Sequence, residues 1–217
     1  MDLALIRDIL TVCKRLDQKG VVNAYEGNVS VKRDGLLYIT PAGKNKAFLS
    51  DEMICVLEED TLTQVGGIFP PSSEMLLHTG AYGMREDVKS VIHCHPTMLT
   101  AFSLCLKPVQ TNAYPEVIGN FRHIPCAPYG RPGTPEIFDV AADLVKEYDI
   151  VLLGNHGVLC VGNDVFDCMN KVEAAESIAK VVFYAEQIGG VADLPESEVQ
   201  MFLEKQAAIT KARRQKG

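Results

Sequence analysis

Apolar side chains recur along this chain with two different periods, which predicts a fold of interspersed helices and strands. Residues 2–19 carry apolar positions every three or four residues and are followed by Gly20, a pattern typical of an amphipathic helix with a glycine terminator. Short apolar runs bounded by turn residues predict strands over 29–31, 36–40, 53–57, 89–94, 124–126, 150–153 and 158–161. The first two flank Arg33-Asp34-Gly35 and are expected to form a hairpin.

The same pattern predicts five further helices, which cover residues 72–84, 97–104, 134–147, 164–188 and 196–211. Ser72 or Ser73 is the expected cap of the first, and Thr134 followed by Pro135 that of the third. Several strand connections are short enough for hairpins. The sheet is therefore predicted to be mixed and mainly antiparallel, within one α/β domain that spans residues 1–217.

The composition narrows the class of protein. A length of 217 residues, 47% hydrophobic, fits one domain with a substantial core, and a net charge of −7 argues against a nucleic-acid surface. The sequence has no apolar run of membrane-spanning length, and its first residues lack the basic segment and following apolar segment of a signal peptide. A cytoplasmic protein without membrane contact is therefore expected. Seven scattered cysteines without a C-x-x-C pair predict mostly buried thiols. The basic cluster at 211–216 is interpreted as a solvated tail.

The most informative chemistry lies at His93-Cys94-His95, at the end of a predicted strand. Strand side chains alternate, so both imidazoles should share one face while Cys94 points to the other. His156, between two short strands, and Glu74, at the start of a helix, are further candidates for the same site. Three imidazoles and one carboxylate suit zinc or a similar divalent metal, although an H-x-H pair alone is more often a pair of hydrogen-bonded residues at a strand end.

Three other segments are suited to holding an anion. Residues 27–30 open a strand, residues 40–43 follow the hairpin, and residues 72–73 begin a helix. Each offers backbone N–H groups, hydroxyls or an amide, and a helix N-terminus adds a favourable dipole, so together they can cradle a phosphate. Taken singly, each is typical of an ordinary turn or helix cap.

Three side chains have competing interpretations. Glu74 is either a first-turn carboxylate that complements the helix dipole or a metal ligand that can leave the metal and act as a base. Tyr114 precedes Pro115, which favours an extended backbone and a protruding loop. It is either a surface or interface tyrosine or a phenol that donates a proton to a developing alkoxide. Tyr129 is expected in the core or at an interface.

The ordered motifs, taken together, resemble the class II aldolase/adducin family over about residues 5–190. They are G-N-V-S at 27–30, T-P-x-G at 40–43, P-S-S-E at 71–74, H-x-H-P at 93–96, P-Y-x-x-x-G-T at 128–134 and N-H-G at 155–157. Length and spacing are most similar to the family's L-fuculose-1-phosphate aldolases. The resemblance implies a three-layer α/β/α fold with a mainly antiparallel, mixed central sheet. It also implies a homotetramer with active sites between neighbouring subunits.

The resemblance further implies the reaction and the residues that carry it. The reaction is the reversible cleavage of a ketose 1-phosphate into dihydroxyacetone phosphate and a small aldehyde such as lactaldehyde. Zinc, or cobalt or manganese in its place, is implied on His93, His95 and His156, with Glu74 as the exchangeable fourth ligand. Glu74 and Tyr114 of the adjacent subunit are the implied catalytic residues. The residues implied to bind the substrate phosphate are Gly27, Asn28, Gly43, Ser72 and Ser73.

This chain departs from that pattern at two places. Ala42 stands where the fuculose aldolases carry a hydroxyl, and either Lys44 or Lys46 compensates for it or both lysines are simply exposed. The tail at 211–217 has no tyrosine to close the aldehyde end of the site, and the last aromatic residue is Phe202.

Other members of the family remain alternatives. An L-ribulose-5-phosphate 4-epimerase has Ser-Ser-Asp and His-x-Asp-Tyr, where this chain has Ser-Ser-Glu at 72–74 and Asn-Ala-Tyr at 112–114. Decarboxylases and dehydratases of related sugar phosphates are further enzymatic alternatives. A noncatalytic adducin-like interaction module would not need to keep metal ligands, and a closed, purely structural metal site would have no exchangeable position.

Overall fold

The computed structural model describes residues 2–214 and builds them around one eight-stranded sheet. The strand order is β4-β3-β2-β1-β5-β8-β7-β6, and only β6 and β7 run parallel. The strands are β1 (Asn28–Arg33), β2 (Leu36–Ile39), β3 (Cys55–Glu58), β4 (Gln64–Gly66), β5 (Ser90–Cys94), β6 (Cys126–Ala127), β7 (Ile150–Leu153) and β8 (Gly157–Gly162). The mixed, mainly antiparallel sheet predicted from the sequence is confirmed.

Helices cover both faces of the sheet. They are α1 (Leu3–Gln18), α2 (Met75–Met84), α3 (Thr97–Leu104), α4 (Pro115–Phe121), α5 (Glu136–Asp139), α6 (Ala142–Glu147), α7 (Val165–Ile188) and α8 (Glu196–Arg214). One hydrophobic core lies between the sheet and α1, α3 and α7, and a second lies between the sheet and α2, α5 and α6. The predicted three-layer α/β/α fold is therefore confirmed. No helix within residues 2–214 is both long and apolar enough to cross a membrane.

Local sequence explains the first helix. The Asp2 side chain caps α1 by accepting hydrogen bonds from the backbone N–H groups of Ala4 and Leu5. The apolar stripe of α1 is buried from Leu5 to Leu16, with Ile6 and Ile9 at its centre, and burial of each such side chain contributes about 1.5–3 kcal/mol. Gly20 then adopts a positive φ, as a C-terminal glycine does.

The pairing of the central strands sets the geometry of the candidate site. β5 lies between β1 and β8, with Asn28 opposite His93 on one side and Leu159 opposite His93 on the other. Cys94 is fully buried in the core beneath α1, α3 and α7, so the two flanking histidines face the α2 side, as the period-2 pattern predicts. The ends of three strands therefore meet at one edge.

Several predicted elements differ from the structure. The helix predicted over 134–147 is two helices, because the Ala141 N–H bonds to the Phe138 carbonyl, an i−3 contact that tightens the turn between them. Neither Ser72 nor Ser73 caps α2, whose N-cap position is Glu74. The protruding loop expected at Tyr114 leads directly into α4, which begins at Pro115.

Predictions about single residues and short segments are confirmed at some positions and wrong at others. Tyr129 is 53% exposed, so it is not a core residue. Five of the seven cysteines are buried as expected, whereas Cys126 is half-buried and Cys105 is exposed. The polar edge strand β4 has no hydrophobic alternation and was not predicted. Residues 215–217 of the predicted basic tail lie outside the described residues, and the single domain over 1–217 stays a prediction.

Candidate metal and phosphate site

Three histidines from two separate segments converge where the central strands β5 and β8 end and begin. The ring centroids of His93 and His95 lie 4.7 Å apart, those of His93 and His156 also 4.7 Å, and those of His95 and His156 5.0 Å. One nitrogen of each ring lies within 4.8 Å of the others. The structure therefore brings together the three imidazoles that the sequence predicted as one cluster.

Glu74 completes the cluster from the start of α2. Its Oε1 lies 3.1 Å from His156 Nε2, its Oε2 lies 3.2 Å from His93 Nε2, and the two Nε2 atoms lie 3.0 Å apart. Tetrahedral ligands with metal bonds of about 2.0–2.1 Å are separated from each other by about 3.3 Å. This spacing, together with a donor set of imidazoles and one carboxylate, fits a divalent metal such as zinc.

Outer contacts orient the rings. His93 donates its Nδ1–H to the Val158 carbonyl at 2.9 Å, which leaves Nε2 with a lone pair directed at the cluster. His95 Nδ1 is a buried polar atom without a hydrogen-bond partner among residues 2–214, since the nearest carboxylate oxygen, on Glu26, is 3.5 Å away. A buried ring nitrogen that lacks a hydrogen-bond partner fits a metal site, because a bound ion would supply that partner.

A glycine makes room for one of these rings. A Cβ on Gly157 would lie 2.3 Å from His95 Cδ2 and 2.7 Å from the Cys94 carbonyl oxygen. The last position of the N-H-G motif is thus explained by close packing of the His95 ring against the first residue of β8.

Burial sets the protonation of the cluster. Loss of solvation lowers the pKa of His93 to about 3 and that of His95 to about 4, so both rings are neutral at pH 7. Burial raises the pKa of Glu74. The hydrogen bond from His156, the electrostatic interaction with the neighbouring His93 ring and the hydrogen bond from the Asn28 amide outweigh that effect and hold the pKa of Glu74 well below its usual range. Neutral imidazoles and an anionic carboxylate are the forms that bind metals.

The five residues predicted to bind phosphate line one cavity beside the cluster. The cavity is about 150 Å³ and its wall includes Glu74, His95 and His156 together with Gly27, Asn28, Gly43, Ser72 and Ser73. Gly43 has a φ of +62° and no atom within 4 Å of the site of a Cβ, so its backbone is open to the cavity. Asn28 donates from Nδ2 to Glu74 Oε2 at 2.9 Å and therefore joins the two groups of residues.

Lys46 also lines this cavity and contradicts the expectation of an exposed lysine. Its side chain is only 2% exposed, and Nζ donates to the Lys44 carbonyl at 2.7 Å. Burial lowers the pKa of Lys46, although Cys13 and Glu74 act in the opposite direction. Among residues 2–214 no carboxylate forms an ion pair with the Lys46 ammonium. Lys44 instead places its ammonium 3.9 Å from the centre of the Phe69 ring.

Two further residues bear on the site, Tyr114, which the sequence predicted, and His78, which it did not. Tyr114 is half-buried against the core beneath α1, α3 and α7 and is not part of the cavity wall of its own chain. His78 was not predicted, yet it lies buried behind Asn28 with its Nε2 at hydrogen-bond distance from Asn28 Oδ1. Its position four residues after Glu74, on the same helix face, is a signal that the sequence carried.

Comparison with known proteins places these observations in context. Residues 7–183 match the family model described as Class II Aldolase and Adducin N-terminal domain. The chain is similar to a 5-methylthioribulose-1-phosphate/5-deoxyribulose-1-phosphate aldolase of Escherichia coli O45:K1, 28% identical over 207 residues, with 94% of this chain and 95% of that one covered. A 3-oxo-tetronate 4-phosphate decarboxylase of Haemophilus influenzae is 30% identical over 188 residues, with coverage of 84% and 88%. The solved structure of an L-fuculose 1-phosphate aldolase matches with a TM-score of 0.86 and 27% identity, covering 94% of this chain and 97% of that one.

Proposed function

The chain belongs to the class II aldolase and adducin family and is an enzyme of the lyase class, and we propose that it cleaves a ketose 1-phosphate reversibly into dihydroxyacetone phosphate and a small aldehyde. The observation that carries this proposal is the shared cavity. Glu74, His95 and His156 line the same cavity as the residues proposed to hold phosphate, and the buried His93 completes the histidine cluster. A noncatalytic module has no need of that arrangement.

The metal is proposed to be zinc, held by His93, His95 and His156 with Glu74 as the exchangeable ligand. When bound, such an ion acts as a Lewis acid on the substrate carbonyl and offsets the negative charge of the enediolate. The neutral state of the buried rings favours metal binding without prior loss of protons. A carboxylate that can be displaced distinguishes this arrangement from a closed structural site.

The substrate phosphate is proposed to lie on the other half of the cavity. Gly27 and Gly43 both have positive φ values, which lets their backbone approach an anion closely. Ser72 and Ser73 add hydroxyls just before α2, and Asn28 adds an amide. Lys46 is proposed to compensate for the hydroxyl that is missing at Ala42. Its buried ammonium has only the Lys44 carbonyl as a hydrogen-bond partner among residues 2–214, so it can also bind an anion.

Two residues are proposed to move protons. Glu74, anionic and directed at the cluster, takes the proton from the hydroxymethyl carbon of dihydroxyacetone phosphate in the synthetic direction and returns it in cleavage. Tyr114 handles the proton on the aldehyde oxygen. Since Tyr114 lies outside the cavity of its own chain, this role needs a neighbouring subunit, and we propose a homotetramer with active sites between subunits.

The names of the relatives guide the choice of substrates. L-Fuculose 1-phosphate and 5-deoxyribulose 1-phosphate are both ketose 1-phosphates, and they differ in the aldehyde that retro-aldol cleavage releases. The test supplies each one, together with 5-methylthioribulose 1-phosphate, to zinc-loaded protein and follows dihydroxyacetone phosphate through a coupled reduction by NADH. We expect release from at least one of them, and loss of release when a chelator removes the metal.

The same panel includes substrates that would give a different answer. Isomerisation of L-ribulose 5-phosphate without dihydroxyacetone phosphate release would favour the 4-epimerase alternative. Carbon dioxide release from 3-oxo-tetronate 4-phosphate would favour the decarboxylase, in keeping with the relative of that name. Inertness of the zinc-loaded protein toward every compound would refute the proposed enzyme activity.

A further inference from the structure

A row of polar side chains extends from Glu74 and Asn28 of the candidate site into the interior, and its three inner members have no part in the proposed chemistry. Glu74, the N-cap residue of α2, is followed at intervals of four residues by His78 and Tyr82, so the three side chains lie on the same side of the helix. On the facing strand β1, Asn28 and Ser30 are two residues apart and share one sheet face. The helix residues and strand residues interleave.

Hydrogen bonds join these five side chains in one linear chain, the polar file, which runs in the order Glu74, Asn28, His78, Ser30 and Tyr82. Asn28 Nδ2 lies 2.9 Å from Glu74 Oε2, and Asn28 Oδ1 contacts His78 Nε2. On the other side of the ring, His78 Nδ1 lies 2.6 Å from Ser30 Oγ, which in turn lies 2.7 Å from the Tyr82 hydroxyl. All except Glu74 are buried, and Ser30 and His78 have no exposed surface.

The donor and acceptor roles follow from this order without ambiguity. The anionic Glu74 only accepts, so the Asn28 NH₂ group faces it and the Asn28 oxygen faces His78. His78 Nε2 therefore carries the proton, and its Nδ1 must accept. The single hydroxyl hydrogen of Ser30 goes to that nitrogen, which leaves Tyr82 as the donor to Ser30. Every donor in the file points toward the carboxylate.

We propose that Tyr82, Ser30 and His78 are positioning residues, which fix the orientation of the Asn28 amide and through it hold Glu74 at the metal-binding cluster. The proposal rests on the proposed function for the role of Glu74 as an exchangeable ligand. Without Ser30, His78 Nδ1 loses the donor that holds it as an acceptor, and only the Asn28 carbonyl still favours the proton on Nε2. A ring with its proton on Nδ1 would turn a lone pair toward Asn28 Oδ1. The amide would then rotate and turn its oxygen toward the Glu74 carboxylate, so the carboxylate would lose its donor.

The experiment compares two serines that differ only in this connection. Ser30 and Ser90 are both fully buried on adjacent paired strands, and among residues 2–214 the Ser90 hydroxyl bonds only to the backbone carbonyl of Ser30. Ser90→Ala is therefore the control for Ser30→Ala. Zinc affinity, measured by competition with a chromogenic chelator, reports on the site without reference to activity. We expect Ser30→Ala to lose up to about 10-fold in zinc affinity and in kcat, the lower end of the range for a direct outer partner of a metal ligand, because Ser30 acts through His78 and Asn28. Ser90→Ala should lose neither.

Two further variants separate positioning from packing. Tyr82→Phe removes only the hydroxyl at the far end and should weaken zinc binding less than Ser30→Ala. His78→Gln keeps an N–H near the Nε2 position and should retain more zinc affinity than His78→Leu. Equal zinc affinity and kcat in Ser30→Ala and Ser90→Ala would overturn the proposal. If wild-type protein binds zinc but cleaves no ketose phosphate, the proposed reaction fails, while the zinc comparison still decides the positioning role.

Discussion

The Gly157→Ala substitution isolates the packing of one proposed metal ligand. Gly157 does not have a positive φ, so its backbone conformation is accessible to alanine and the effect of the change is steric. The new Cβ would lie 2.3 Å from His95 Cδ2, whereas carbon atoms in contact are about 3.5–4.0 Å apart. The ring would have to move by more than about 1 Å, twice the tolerance of about 0.5 Å for a functional site.

The ring cannot relieve the clash alone. The same Cβ would lie 2.7 Å from the Cys94 carbonyl oxygen, which is part of the β5 backbone. We therefore expect a loss of about 1–3 kcal/mol in the free energy of unfolding, as is usual for overpacking. The zinc affinity should fall by about 100-fold or more, at least the upper end of the range for outer-shell changes, because a ligand itself is displaced.

Two measurements on metal-free protein test this expectation. Denaturant unfolding gives the stability change, and chelator competition gives the zinc affinity. Gly83→Ala is the control, since Gly83 lies in α2 with no atom within 4 Å of the site of its Cβ. That variant should bind zinc normally and gain up to about 1 kcal/mol in stability from helix propensity. If Gly157→Ala binds zinc as tightly as wild type, His95 is not held against β8 in the way described.

The remaining predictions address the site and the protonation of its surroundings. His156→Ala should abolish stoichiometric zinc and activity together, and full metal content by atomic absorption would contradict the ligand assignment. Glu74→Gln should retain zinc on the three histidines yet slow solvent-proton exchange into dihydroxyacetone phosphate by about 10²–10⁴-fold, measured by NMR; unimpaired exchange would remove Glu74 from the proton-transfer role. Lys46→Met and Ser73→Ala should each weaken inorganic phosphate binding, about 1.5–3 kcal/mol for a charged contact, and unchanged calorimetric affinity would show that these residues only shape the loop. Burial lowers the pKa of His78 to about 3, below its value of about 6.5 in the unfolded chain. Below pH 6.5 the folded protein therefore binds fewer protons than the unfolded chain. The free energy of unfolding is unaffected by His78 above pH 6.5 and falls by about 1.4 kcal/mol per pH unit as the pH drops toward 3. Equal unfolding free energies of metal-free protein at pH 7 and 5 would contradict it.

Local periodicity predicted the elements that dominate the fold. The run before His93 specified β5, and its alternation correctly placed Cys94 in the core and the histidines on the opposite face. The helix over 97–104 and the long helix ending at Gly189 follow equally directly from apolar spacing and a terminating glycine. These features depend on neighbours within a few residues, which is the range that a sequence pattern reports.

Features decided by distant contacts were not predicted. Lys46 appeared to be an exposed loop lysine, but it is buried in the wall of the cavity, a position that its neighbours in sequence do not reveal. α4 was interpreted as a loop because its seven residues are too few to show a period, although Val117, Ile118 and Phe121 bury one side of it. The spacing of His78 from Glu74 is present in the sequence, but its contact with Asn28 depends on the packing of α2 on β1.

The polar file between α2 and β1 is better explained by function than by folding. Asn28, Ser30, His78 and Tyr82 occupy positions where the same helix and strand, one or two residues away, bury purely apolar side chains such as Leu77 and Val29. A buried polar group adds little net stability even when it is paired, and leaving one unpaired costs about 1–3 kcal/mol. Well-packed apolar residues would serve the core at least as well. An apolar core, however, could not present an oriented N–H to Glu74, and the file supplies that donor at the point where the protein interior meets the metal-binding cluster.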